Sequence, residues 1–187
     1  SDEARGTFER SKVLSVIAPA KQGLATANND RFVRNWHEVS YSSVDFCCSS
    51  IEEAQHSSSK WFPYNKGGEF RRWYGNQEHL VNWENNGAEI KSFTDDNGRQ
   101  RSRPQNTQCY FRSSVSWSDI TSGVPSFRYF PEGFIYDVTG MSSQPDGHRQ
   151  ELSVLAYTNT PIVAWFVKTL NPTLHFQIGN FSSLPFL

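Results

Sequence analysis

The stretch Lys60–Gly87, KWFPYNKGGEFRRWYGNQEHLVNWENNG, carries seven aromatic side chains and four basic ones in 28 residues. Trp61, Phe62, Tyr64, Phe70, Trp73, Tyr74 and Trp83 are more rings than one small core takes, and Lys60, Lys66, Arg71 and Arg72 lie among them. Two readings fit this pattern. Rings flanked by charges build a half-buried sheet with one solvated face. Stacking faces beside cations also suit nucleic acid, whose phosphates call for Lys and Arg while its bases accept flat or forked groups.

The stretch divides into short elements. Trp61 to Tyr64 reads as a strand, Gly67-Gly68 as a turn, Phe70 to Tyr74 as a second strand and Leu80 to Trp83 as a third, with Asn85 or Asn86 capping a helix that runs through Ile90. Upstream, residues 1–12 are charged and read as frayed or helical, Val13 to Ala18 as a strand ended by Pro19, and Arg31 to Val39 as a strand after the polar turn Asn28-Asn29-Asp30. The Ser-rich span Tyr41 to Ser59 holds a short connecting helix. Downstream, Thr94 to Asn106 is a long polar surface loop. CYFR, VSWSDI, SFRYF and GFIYDV follow as short strands. Leu152, Leu155 and Ala156, then Ile162, Val163, Phe166, Val167 and Leu170, recur at helical spacing, so two helices meet near Asn159, the second opened by Thr160-Pro161. Asn171-Pro172 stops it, and Thr173 to Ile178 alternates like a final strand.

This is an α+β chain: a small mixed, mostly antiparallel sheet domain over residues 1–145, then a helical pair and terminal strand over 146–187 packing on it as one structural unit. With 187 residues and 36% hydrophobic content, it has the means to bury a core.

Formal net charge is −1. Its distribution is uneven: Lys and Arg against Asp and Glu number 6 and 8 in residues 1–59, 9 and 6 in residues 60–112, and 3 and 5 in residues 113–187. The positive excess therefore sits in the middle. The three cysteines, Cys47, Cys48 and Cys109, include an adjacent pair and no CxxC, which argues for a reduced cytoplasmic protein without structural zinc. No apolar run approaches a membrane span, so no membrane partner is expected.

The candidate contacts to double-stranded DNA are Asn28, Asn29, Arg31 and Arg34; Lys60, Lys66, Gly67, Gly68, Arg71, Arg72 and Tyr74; and Arg99, Arg101 and Arg103 in the polar loop. Arg71 and Arg72 would point to opposite faces of a strand. The expectation is that Arg71 faces DNA with Lys66, Asn29 and Arg31, while Arg72 pairs with Glu69 or Glu84.

Three segments, KWFPYNKGGEFRRWYGNQEHLVNWENNGAEIK, GLATANNDRFVRNWHEV and LNPTLHFQIGNFSSLPF, together resemble the C-terminal half of adenine-specific DNA methyltransferases of the PglX type. These belong to phage-defence (BREX) systems and are related to fused restriction–modification enzymes. The resemblance implies a target-recognition region that holds the duplex while a separate catalytic domain flips an adenine. It also implies a parent protein that uses S-adenosylmethionine and that has other defence-system subunits as partners. The Asn/Asp-Pro-Pro-aromatic tetrapeptide of such enzymes is absent, as is any Pro-Pro pair, and Gly67-Gly68 reads as a turn rather than a cofactor loop. Hence no catalytic residue, cofactor or metal is assigned to this chain, which reads as a recognition part inactive alone.

Rival chemistry is weaker. Glu89-Ile90-Lys91 resembles a nuclease acid-x-lysine unit without an upstream acid, and Pro145-Asp146 with Glu151 lacks a lysine. His37, His56, His79, His148 and His175 show no ligand spacing, and no GxSxG elbow occurs. The second serious reading is a protein-interaction module docking a partner subunit, because aromatic and Arg enrichment marks protein interfaces too.

Overall fold

The computed structural model describes residue 6 and residues 11–121, 123–171 and 173–186. Most of the charged segment 1–12 and Pro172 lie outside the described residues. Within them the chain is a mixture of helices and mostly antiparallel strands, as the sequence pattern implies.

Two four-stranded sheets carry the fold. One joins β3 (Val33–Asn35), β5 (His79–Asn82), β4 (Trp61–Asn65) and β8 (Ile135–Tyr136) in the order β3-β5-β4-β8. All its pairings are antiparallel except β4 with β8, where Tyr64 meets Ile135. The other runs β2 (Ala20–Lys21), β9 (Gly140–Ser143), β6 (Ser114–Ser118) and β7 (Arg128–Phe130), antiparallel throughout. A ribbon of β1 (Lys12–Val13) and β10 (Pro185–Phe186) ties the two ends together.

Each sheet has its own core. Phe62, Tyr64, Val81, Trp83, Tyr110, Phe111 and Tyr136 fill the first. Trp117, Phe127, Phe176 and Phe181 centre the second, where residues of the C-terminal helices join Leu14, Ala18, Val115 and Met141. Trp117 and Phe181 stack at 4.4 Å between centroids. Burial of rings of this size stabilises by about 1.5–3 kcal/mol each.

Asn65 couples the two sheets. From the end of β4 its Nδ2 donates to Ser116 Oγ on β6 at 2.6 Å, and its Oδ1 accepts the Gly67 amide at 3.1 Å. The Gly67 turn is thereby fixed with φ +76°, and an added Cβ would come within 2.9 Å of the Thr139 carbonyl oxygen, so only glycine fits.

The helical pair His148–Thr158 and Pro161–Leu170 forms as the pattern dictates, with Thr160 Oγ1 accepting the Val163 amide. Several expected strands do not form. Phe70 to Tyr74 is an irregular loop, because Trp73 (φ +74°) and Gly75 (φ +125°) turn the backbone left-handed. Residues 31–39 break into the end of a helix at Asn29–Phe32, the short β3 and a 3₁₀ turn at Trp36–Glu38. CYFR is a turn after the 3₁₀ segment Thr107–Cys109, with Phe111 at φ +67°. Val13 to Ala18 gives only the end of β1 before a 3₁₀ turn at Leu14–Val16. The span 173–178 makes one bridge, Ile120 to His175, and the final strand is β10 instead. Competing local hydrogen bonds and left-handed residues break up apolar alternation that tertiary pairing does not complete. The helix Glu84–Lys91 opens on three left-handed residues, Asn85, Asn86 and Gly87, so the asparagines form a turn and not a cap.

Candidate nucleic-acid interface

Four of the seven rings that crowd Lys60–Gly87 are core: Trp61, Phe62, Tyr64 and Trp83 are buried. The remaining three are not. Phe70 is 61% exposed, Trp73 52% and Tyr74 61%, all within one loop. Backbone pairing explains how a loop holds rings out. Trp73 donates its amide to the Phe127 carbonyl and accepts from the Tyr129 amide, both at 2.9 Å, which clamps it to β7 in the left-handed conformation. A bulky residue held there stores strain of order 1–3 kcal/mol. Arg71 and Arg72 sit beside it, exposed; Arg71 lies across Gly75, and the Arg72 guanidinium stands over the Phe70 ring at 5.4 Å. Arg72 therefore pairs with neither Glu69 nor Glu84.

The Gly67-Gly68 turn ahead of this loop borders a cleft of about 510 Å³ lined by Asn29, Arg34, Lys66, Gly67, Gly68 and His79, with Asp30 and Glu38 also at its wall. Asn29 and Lys66 also line a second hollow of about 310 Å³ with Ala25, Thr26, Asp137 and Thr139. Folding thus brings together Asn29, Arg34, Lys66, Gly67 and Gly68, which lie apart in sequence. Asn28 is a cap: its Oδ1 accepts the Arg31 amide at 3.0 Å. Burial holds His79 below its ordinary value, so it is uncharged at neutral pH.

The cations divide into two groups. Lys66 Nζ is 3.0 Å from Asp137 Oδ2, and Arg31 Nη2 is 2.7 Å from Glu89 Oε1, so both carry internal partners. Arg34 donates to the carbonyls of Asp30 and Val33 at 2.6 Å and stands over Trp61, as does Lys60. Arg103 pairs its backbone with Ala25 beside the second hollow, and Arg101 and Arg31 both lie over the Phe93 ring, at 5.5 and 5.2 Å. Arg99 sits in the Asp95–Arg99 turn, away from the cleft's lining. Among the described residues Arg34, Lys60, Arg71, Arg72, Arg99, Arg101 and Arg103 make no ion pair. Sequence reasoning placed the cations but missed Asp137 and Glu89. Both are far from their partners in the chain, and no local spacing signals them.

Elsewhere the chemistry is sparse. Among the described residues no group of three or more His, Cys, Asp and Glu can hold a metal ion, and no helix is long and apolar enough to cross a membrane.

No family model matches the chain. Over 173 residues, 92% of its length, it is 42% identical to the "Adenine-specific methyltransferase PglX" of Lacticaseibacillus casei (strain Zhang), and that match spans 14% of the relative. Over 178 residues it is 33% identical to the "Adenine-specific methyltransferase BrxX" of Escherichia coli O9:H4 (strain HS), again 14% of the relative's length. The resemblance to PglX-type methyltransferases is borne out: nearly the whole chain matches one segment of these much longer proteins.

Proposed function

We propose that this chain, similar along nearly all its length to a segment of adenine-specific methyltransferases, is a DNA-recognition part of such an enzyme, with methyl transfer performed by another part of the parent protein. The observation that carries the reading is the loop from Phe70 to Tyr74. It holds three exposed rings and two guanidiniums that make no ion pair among the described residues, and it follows directly on the Gly67-Gly68 turn that lines the Asn29–Lys66 cleft. Exposing three large rings costs hydrophobic stabilisation, and straining Trp73 to do so costs more, which a surface without a ligand has no reason to bear. Duplex phosphates satisfy the arginines, and groove edges or unstacked bases satisfy the rings. In this reading Arg34, Arg71, Arg72, Arg101 and Arg103 carry the phosphate contacts. Asn29 and the Gly67-Gly68 backbone, which line one cleft, are assigned to base readout. S-adenosylmethionine binds elsewhere on the parent, in a cytoplasmic phage-defence assembly.

A second reading has its own observation. Ile120, Trp165 and Leu174 are 60%, 49% and 61% exposed, an apolar set that suits docking on the rest of the parent protein or a partner subunit.

Anisotropy of a labelled duplex titrated with the chain at several salt concentrations separates the readings. DNA contact through several phosphates gives log affinity falling linearly and steeply with log salt. No binding at low salt by a folded chain sinks the recognition reading and favours docking. Calorimetry with S-adenosylmethionine should show no stoichiometric binding; tight binding would refute the placement of the chemistry elsewhere.

A further inference from the structure

Arg128, on β7, is fully buried, yet among the described residues no carboxylate pairs with it. Its Nη2 donates to Ser118 Oγ at 2.7 Å and its Nη1 reaches the Ser126 carbonyl and Oγ only at 3.4 Å. Among the described residues its Nε has no hydrogen-bond partner. A buried charge left without a counter-charge and with an orphaned donor is costly, and native structures rarely keep one without a reason. Burial also pulls the guanidinium down to about 10, with only the more distant Glu78 acting against it.

The two serines that hold Arg128 line a pocket of about 200 Å³ together with Gly68, Glu69, Phe70, Ile120 and Thr121. Their protons are not equivalent. Ser118 Oγ donates to the Gly68 carbonyl at 2.7 Å. Ser126 Oγ accepts from the Arg71 amide at 3.2 Å and from Arg128, and its own hydrogen goes to no described acceptor. The pocket thus offers one unclaimed hydroxyl donor, whose oxygen lies 3.4 Å from Nη1 of the buried Arg128 guanidinium. Gly68 lines both this pocket and the Asn29–Lys66 cleft, so the two meet at one residue of the turn.

We infer that this pocket is an anion site, Ser126 donating to the ligand and Arg128 supplying the charge from below, and that its occupant is a phosphate of the DNA backbone. The identity of the occupant rests on the recognition reading above; the anion site does not. A phosphate seated there would place a strand along Phe70 and Arg71 and over Gly68 towards Lys66. The exposed Glu69 at the same wall opposes an anion, so it tunes the site down.

The test uses the chain melted in sodium chloride and in sodium phosphate at matched ionic strength. Because phosphate stabilises proteins generally by exclusion from their surfaces, the informative quantity is the difference between variants. Wild type should show an additional saturable rise in Tm with inorganic phosphate. Ser126→Ala should lose that rise, and Glu69→Gln should reach it at lower phosphate. Should Ser126→Ala fail to fold, Ile120→Trp closes the mouth from an exposed position and should abolish the rise equally. With a labelled duplex, Ser126→Ala should lower the salt slope by about 0.9, the value for one phosphate. Equal phosphate responses of wild type and both blocking variants overturn the site. A Ser126-dependent phosphate response in a chain that does not bind duplex at low salt, or whose salt slope Ser126→Ala leaves unchanged, keeps the anion site and overturns the DNA phosphate as its occupant. The first of those two results also ends the recognition reading.

Discussion

Lys66 and Asp137 form an ion pair across 71 residues of sequence, Nζ 3.0 Å from Oδ2. The same Asp137 oxygen accepts the Tyr64 hydroxyl at 2.5 Å, and the other carboxylate oxygen takes the Thr139 amide at 2.7 Å and the Thr139 hydroxyl at 2.8 Å. Asp137 is 2% exposed, so this cluster is a structural anchor beneath the cleft.

Asp137→Ala should therefore destabilise the fold by about 3 kcal/mol, since it takes the acceptor from Lys66 and from the Thr139 amide and hydroxyl at once, while Tyr64 keeps its bond to the Leu24 carbonyl. Urea denaturation followed by fluorescence measures this. A loss under about 1 kcal/mol would show that the anchor is dispensable.

Under the proposed DNA recognition, the pairing also ranks the cations. Arg71→Ala should lower the duplex salt slope by about 0.9, and Lys66→Ala by less, because Asp137 already compensates part of the lysine charge. Slopes measured on one duplex for both variants decide it; a larger drop for Lys66 reverses the assignment.

Glu89 offers the converse. Hydrogen bonds from Arg31 are the main cause that holds its carboxyl below the ordinary value of 4.5, with the Arg31 charge and Asn82 acting in the same direction. A lowered carboxylate contributes stability that is present above its unfolded value and lost as pH falls through the folded one. Glu89→Gln should melt below wild type at pH 7, with the gap closing as pH drops beneath about 4.5. Because it releases the Arg31 charge, the same variant should bind duplex more tightly at low salt. A gap that widens in acid, or unchanged affinity, contradicts this.

Trp73 separates strain from contact. Trp73→Gly relieves the left-handed backbone and removes an exposed ring, so it should melt no lower than Trp73→Ala while both lose duplex affinity. If Trp73→Ala is the more stable of the two, the conformation at this position is not strained.

Phe181→Ala removes the ring stacked on Trp117 and should cost about 3–5 kcal/mol. Deleting Thr173 onward takes away Phe176, Phe181 and Leu184 together and should leave no cooperative melt. A truncated chain with a sharp thermal transition would show that the second core closes without them.

The sequence by itself determined whatever depends on short-range pattern. Thr160-Pro161 opens a helix wherever it is placed, because a hydroxyl cap and a fixed φ need only their neighbours. The apolar run Trp61 to Tyr64 forms a strand, and rings and cations crowd one region of the chain, Lys60 to Gly87. Long identity with methyltransferase segments needs no coordinates either. Only the tertiary structure decided which rings face water, since Trp61 and Phe70 look alike until Trp61 is paired with β5 on one side and Val44 on the other and buried. It also decided which cations are compensated, because Asp137 and Glu89 reach Lys66 and Arg31 across 71 and 58 residues. The strand expected at Phe70 to Tyr74 failed for the same reason: two backbone bonds, to the Phe127 carbonyl and from the Tyr129 amide, hold Trp73 left-handed, against its own propensity. Arg128 shows the limit most plainly, as nothing in SFRYF distinguishes a surface arginine from one sealed beneath a pocket.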